Sequence, residues 1–233
     1  NGENVKVDVC FSGYSYERGL MPAGKLQIDA GTFDCKTGGG VIFRNTSEIV
    51  INGGLLRAAQ FRPSNRVDGG KTTFIMNGGE ATFDGQGYML TSSGFPTFYM
   101  PFDSYTFIMT DGTLTIHSST GNSGGAFVVN CNAENSKITG GEIIINTQNA
   151  HNNNSTTYNM VCSIPLYNLT LKNDDYTTAA YTHSYSDFSG RINGNNVTVT
   201  ADKLYVTNDL TISKNVSFLT NSKSIEVGRS EER

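Results

Sequence analysis

The sequence predicts an all-β chain and, within that class, a right-handed parallel β-helix, a solenoid with about three short strands in each coil. Three observations point there. Nearly the same words return along the chain: TTFIMNGGEATF at residues 72–83, TFIMTDGTLTI at 106–116 and SKITGGEIII at 136–145. The glycine before the second apolar run of each word also recurs. Gly31, Gly54, Gly79, Gly112 and Gly141 follow one another after 23, 25, 33 and 29 residues, inside the roughly 20 to 45 residues of stacked repeats. Apolar residues alternate on both sides of those glycines, as in Phe74, Met76, Ala81 and Phe83, and again in Phe107, Met109, Leu114 and Ile116. A period of two is the period of a strand.

Each element of such a coil has a reason in the residues. The strands are built from Thr, Val, Ile and Phe, whose branched or aromatic side chains suit a pleated surface. Helix has no place to form, because Gly, Asn, Thr and β-branched residues dominate and no long window carries a 3.6-residue period with caps. Glycine supplies the positive φ needed where the chain turns a corner, and Asn tolerates the same region. Asn side chains on successive coils are also expected to stack and satisfy one another's amides, as in other stacked-strand assemblies. In the C-terminal third, Val197/Val199, Leu204/Val206, Leu210/Ile212, Val216/Phe218 and Ile225/Val227 continue the alternation in NVTVTADKLYVTNDLTISKNVSFLTNSKSIEV. The competing architecture is an antiparallel sandwich. Against it, whole words repeat and not only periods: TFD stands at 32–34 and at 82–84. We therefore read residues 1–233 as a single β-helix domain.

Composition narrows the functions. A charged fraction of 16% and a net charge of −4 leave no basic surface for releasing counterions from phosphates, so nucleic acid is not an expected partner. No run approaches the roughly 18 apolar residues of a membrane helix. The start, NGENVKVDVC, has neither an initiator Met nor a signal-peptide core, so a piece of a larger surface protein is expected. Cys10, Cys35, Cys131 and Cys162 have no metal-ligand spacing. Intervals of 25 residues from Cys10 to Cys35 and 31 from Cys131 to Cys162 match the repeat. Two disulfides and buried thiols stacked on adjacent coils both fit them.

TGGGVIFRN (37–45), TFIMNGGEATF, TFIMTDGTLTIHSSTGNSGGAFVVN (106–130) and ITGGEIII resemble the repeats of bacterial cell-surface β-helix proteins, common in gut bacteria and similar to the passengers of chlamydial polymorphic outer-membrane proteins. GGAFVVN fits the family's GGA and FxxN pair through Phe127 and Asn130, whereas in GGGVIFRN Phe43 stands only two residues before Asn45. The resemblance covers roughly residues 24–146. It implies a secreted right-handed β-helix used in adhesion or display, outside the cell or on its surface.

Candidate sites follow from what interrupts the repeat. GFPTFYMPFDSYTF, residues 94–107, falls inside the longest step and gathers Phe95, Phe98, Tyr99, Phe102 and Tyr105. An aromatic loop inserted there would suit sugar rings or a protein partner. LRAAQFRPSNRVDGG is the densest basic stretch. A bend could present its Arg62 and Arg66 to an acidic sugar, and a solvated charged loop is the plainer reading. Catalytic signatures are weak. Asp174, Asp175 and Arg191 echo polygalacturonase words without the rest of the set. GNSGG at 121–125 matches GxSxG but leads into a strand and not a helix. His117, His151 and His183 are scattered, Asp-Gly pairs at Asp68, Asp84 and Asp111 have the ordinary form of turns, and no metal or cofactor is expected. Six N-x-S/T sequons, at Asn45, Asn153, Asn154, Asn168, Asn196 and Asn215, bear on function only in a eukaryotic secretory pathway. The expectation is a non-catalytic surface segment that binds glycans or a surface protein; the alternative is a polysaccharide-degrading lyase or glycoside hydrolase on the same fold.

Overall fold

The computed structural model describes residues 6–8, 19–20, 24–35, 40–44, 46–64, 70–83, 96–117, 127–146, 157–172, 197–201, 204–213, 216–219 and 225–228. Strands come in chain order as β1 (Lys6–Asp8), β2 (Gly19–Leu20), β3 (Lys25–Ile28), β4 (Thr32–Asp34), β5 (Gly40–Phe43), β6 (Ser47–Ile51) and β7 (Leu55–Ala58). Then follow β8 (Phe61–Pro63), β9 (Thr72–Phe83), β10 (Phe98–Met100), β11 (Thr106–His117), β12 (Phe127–Val129), β13 (Lys137–Ile138) and β14 (Glu142–Asn146). The series closes with β15 (Thr157–Cys162), β16 (Asn168–Lys172), β17 (Val197–Ala201), β18 (Leu204–Val206), β19 (Leu210–Ile212), β20 (Val216–Leu219) and β21 (Ile225–Val227). The described chain is all-β, and none of its helices is long and apolar enough to cross a membrane because it has none.

Every ladder among these strands is parallel. One sheet runs β1-β4-β7-β9-β11-β14-β16-β19, with β3, β6 and β13 joined to its long strands; a second runs β2-β5-β8-β10-β12-β15-β17-β20; β18 and β21 pair in a third. Neighbours in the two large sheets are thus never consecutive in the chain, and each strand lies about 4.8 Å from its partner one repeat away.

The five marker glycines hold the corners. Gly31, Gly54, Gly79, Gly112 and Gly141 have φ of 77, 72, 71, 95 and 75°, a region that side-chain-bearing residues enter only at a cost. They also stack. A Cβ on Gly79 would stand 2.6 Å from the Gly54 carbonyl oxygen, and one on Gly112 would stand 2.8 Å from that of Gly79. The corner does not end the strand: β9 and β11 run through it as single strands, because the stacked corners keep their ladder with register shifts only around Asp111. The expected amide stacking is present on the outside of this corner. Asn52 Nδ2 donates to Asp29 Oδ1 at 2.7 Å, Asn77 Nδ2 to Asn52 Oδ1 at 2.9 Å, and Thr110 Oγ1 to Asn77 Oδ1 at 3.1 Å.

Alternation delivers the core. Phe74, Met76, Ala81, Phe83, Phe107, Met109, Leu114 and Ile116 all point inward and are fully buried. The second sheet adds an aromatic column. Val41, Phe61, Phe98 and Phe127 are linked in register, and the rings of Phe61, Phe98 and Phe127 stack at 4.9 and 5.5 Å with interplanar angles of 14 and 17°. Such pairs contribute roughly 0.5 to 1.5 kcal/mol beyond the area they bury.

Cysteine chemistry is settled in part. Cys131 and Cys162 are buried thiols, not a disulfide. Cys162 donates to the Ile164 carbonyl at 3.2 Å, and Cys35, also buried, donates to that of Arg57 at 3.4 Å. Burial pushes the Cys131 and Cys162 thiols up to about 12, so both stay protonated. Cys10 lies outside the described residues.

Candidate functional site

The aromatic stretch expected as an inserted loop is, over its described part, a strand, a turn and the start of another strand. Phe98–Met100 forms β10, residues 101–105 turn, and β11 begins at Thr106. Two of its proposed ligand-binding rings are therefore core. Phe98 occupies the middle of the phenylalanine stack, and Tyr105 is buried with its ring 5.4 Å from Phe43 at 82°. The physical reason is the alternation itself: Phe98-x-Met100 continues the inward positions of Val41-x-Phe43 and Phe127-x-Val129. Phe95 lies outside the described residues, as does Gly94.

Arg62 is a second correction. It sits in β8 and not in a bend, and its side chain is 0% exposed. Its Nη1 donates to the Pro63 carbonyl at 2.9 Å and its Nε to Gln60 Oε1 at 3.2 Å. Buried guanidinium bonded in this way organises its own strand and is not presented to an acidic sugar. Arg66, Asp174, Asp175, Arg191, His151, His183 and the GNSGG segment lie outside the described residues.

What remains of the aromatic group is a presented ring. Phe102 is 47% exposed, with Asp103 and Ser104 beside it at the surface. Its turn is pinned twice: the Tyr105 N–H donates to the Phe102 carbonyl at 2.9 Å, and Ser104 Oγ donates to the Gly70 carbonyl at 3.0 Å. The Phe102 ring rests on Tyr105 edge to face, centroids 5.4 Å apart at 77°. Tyr105 is itself buried, its phenol pushed up to about 12 first by burial and then by its neighbours Cys131 and Tyr99. Tyr99, at the outward position of β10, is half-buried.

The turn leads directly into β11 at Thr106 and is bonded through Ser104 to Gly70, two residues before β9. Outward positions there form columns in register: Thr73 with Thr106, Ile75 with Ile108, Thr82 with Thr115, and Glu80 with Thr113 and Glu142. Hydroxyls, carboxylates and a short apolar strip thus repeat at the strand spacing, next to the Asp29–Asn52–Asn77–Thr110 ladder. Glu142 Oε1 accepts from Thr170 Oγ1 at 2.6 Å. Hydrogen bonds from Asn52 and Gln27 hold the Asp29 carboxyl below its usual range. Asp111 caps its own turn, its Oδ1 accepting from the Gly112 N–H at 2.7 Å. The Thr73, Thr106, Ile75 and Ile108 positions precede the glycine corner and Glu80, Thr113, Thr82 and Thr115 follow it; hydroxyls before the corner, beside one anchored aromatic, can hydrogen-bond sugar hydroxyls while the ring stacks on a sugar.

One polar cluster escaped the sequence reading. His117, Asn146 and Lys172 are register partners on β11, β14 and β16. Burial, then the Lys172 charge, lowers the His117 imidazole to about 4, so it is neutral at physiological pH. His117 and Asn146 are 8 and 5% exposed and Lys172 is half-buried, so the column lies within the sheet, at the ends of three of its internal strands. The available signal was position: His117 and Asn146 each stand five residues past a marker glycine, Gly112 and Gly141. Among the described residues, no group of three or more His, Cys, Asp or Glu stands together to hold a metal ion. No family model matches the chain, and no curated protein or solved structure matches it.

Proposed function

We propose that the chain is a right-handed parallel β-helix of the bacterial cell-surface kind, serving outside the cell as a non-catalytic scaffold that binds glycan or a surface protein. The winding is supported by the order of the strands. The chain visits the long sheet, turns a glycine corner within it, crosses to the second sheet and returns one repeat later in parallel register. The binding role rests on Phe102, a large apolar side chain held out of the core on a turn fixed by two hydrogen bonds and a ring contact. Aromatic anchors of this kind carry much of the energy in both sugar stacking and protein hot spots, and a pre-ordered turn lowers the entropy lost on binding. The hydroxyls of Thr73 and Thr106, before the glycine corner, stand at the same end of β9 and β11 as this turn.

The test is a glycan array and a surface-protein pull-down with the wild-type chain and Phe102→Ala, with every retained glycan also examined for new reducing or unsaturated ends. Retention that falls roughly tenfold or more in the variant, with no cleavage, is the expected result. Unchanged retention removes Phe102 from the site, and cleavage products remove the non-catalytic reading.

A further inference from the structure

Before the glycine corner, the outer side of the long sheet is a strip three positions wide. Thr73, Ile75 and Asn77 alternate along β9, and Thr106, Ile108 and Thr110 follow them on β11. Outward positions on one strand are about 7 Å apart and neighbouring strands about 4.8 Å. Each level therefore shows a hydroxyl on one margin, a half-buried isoleucine in the middle and an exposed hydrogen-bonding group on the other. Lys137 follows Ile108 in the middle row and closes it at the next level.

The margin at the corner has a direction. Thr110 Oγ1 donates to Asn77 Oδ1, Asn77 Nδ2 to Asn52 Oδ1, and Asn52 Nδ2 to the Asp29 carboxylate. Each asparagine thus engages its carbonyl oxygen and one of its two amide N–H groups within the ladder. The other N–H is left to the surface, where Asn52 and Asn77 are both exposed. Bonds that all run one way polarise one another, which strengthens these outer donors. They repeat from strand to strand and not along a strand, so a ligand that meets them in series runs along the stack.

The charge of that ligand is restricted as well. Asp29, Glu80 and Asp111 stand exposed at the corner, and Lys25 is already bridged to Glu48 at 2.9 Å. Carboxylate or sulfate groups on a ligand would face like charge there. The isoleucine row offers no partner to a charge of either sign, whereas the apolar face of a sugar ring can rest on it. A ring centred on Ile75 has the Thr73 and Asn77 positions about 7 Å to either side, which its hydroxyls reach with one hydrogen bond of about 2.9 Å on each.

We infer that this strip takes a neutral polysaccharide laid along the stack, with ring faces on Ile75 and Ile108, hydroxyl oxygens accepting from Asn52 and Asn77, and further hydroxyls bonded to Thr73 and Thr106. The inference rests on the glycan-binding reading above and adds to it the charge of the glycan, its direction and contacts outside the Phe102 turn.

A glycan array sorted by charge, read with the whole chain, tests this. The glycans retained are expected to be neutral, and those with uronic acid, sulfate or free amine are expected to pass. On a retained glycan, Ile75→Lys with Ile108→Lys is expected to weaken binding roughly tenfold or more. Ile75→Thr keeps a β-branched residue in the strand and is expected to weaken it roughly threefold with far-UV circular dichroism unchanged, which decides the matter if the double variant does not fold. Retention that depends on Phe102 but is untouched by Ile75→Thr overturns the inference and leaves the glycan reading standing, as does a preference for acidic or amine-bearing glycans. Retention of no glycan overturns the inference together with that reading's glycan ligand.

Discussion

The described strands between residues 25 and 146 and those between 157 and 228 build the same parallel ladders by different means. In the first region the corner is a column of positive-φ glycines with an amide ladder outside it, and the interior is filled by phenylalanine rings in contact. In the second region no positive-φ glycine occurs among the described residues. Polar side chains turn the corner instead: Asn208 Nδ2 donates to Asn168 Oδ1 at 2.7 Å and Thr207 Oγ1 to the Leu166 carbonyl at 3.1 Å. Its core column is aliphatic, Leu169 and Leu171 followed by the partly exposed Leu210 and Ile212. The contrast shows what a repeated word means. Where glycine backbones touch through successive levels, a single residue type fits and the words recur; where side chains do the turning, many sequences serve and only the alternation survives.

The largest effect expected to sharpen this contrast is in the ring stack. Phe98→Ala removes the ring that touches Phe61, Phe74, Phe83, Phe107 and Phe127 and is expected to cost roughly 3 to 5 kcal/mol in urea unfolding. Ile212→Ala, at the exposed end of the aliphatic column, is expected to cost less than about 1 kcal/mol. Equal losses would erase the distinction between the two interiors.

Next comes the corner. Gly79→Ala must hold Ala at a φ of 71° and place its Cβ 2.6 Å from a backbone oxygen that cannot move alone, for an expected loss of roughly 3 kcal/mol. Gly228→Ala, whose nearest contact would be 3.8 Å away, is expected to change stability by no more than about 0.5 kcal/mol. A tolerated Gly79→Ala would show that the column is not what fixes the words.

The smallest effect concerns the column that joins the two regions, His117, Asn146 and Lys172. Its imidazole is lowered from 6.5 to about 4, so the unfolded chain takes up a proton on acidification before the folded chain does. Stability is therefore full above pH 6.5 and is lost as the pH falls toward about 4. By about pH 5 the expected loss from this group is roughly 2 kcal/mol. His117→Gln should flatten that part of the stability profile, and an unaltered profile would place the imidazole in contact with water.

How much of this was legible in the sequence follows from the same physics. All five marker glycines have positive φ, because a backbone requirement that repeats at every level leaves one residue type in one place. The core faces of β9 and β11 were equally readable from alternation. Phe98 and Tyr105 misled because aromatic density was read as an interruption. The outward or inward sense of Phe98 and Tyr105 depends on the register of β10 with β8 and β12, which no single stretch contains. Arg62 failed for a related reason: a charged residue marks a surface only when its strand position is not already covered and bonded. The exposure of Ile212 and Val227 was not legible, since both continue the alternation that buries their register partners Leu171 and Val206.

The central claim is that strands one repeat apart lie side by side in parallel register, and a designed disulfide tests it most directly. Thr73 and Thr106 are outward register partners 33 residues apart in sequence, at a strand spacing of about 4.8 Å that falls within the reach of a disulfide. Thr73→Cys with Thr106→Cys is expected to oxidise rapidly and keep the native fold, whereas Thr73→Cys with Thr115→Cys is expected to remain reduced. Rapid oxidation of the second pair and not of the first would contradict the parallel stack.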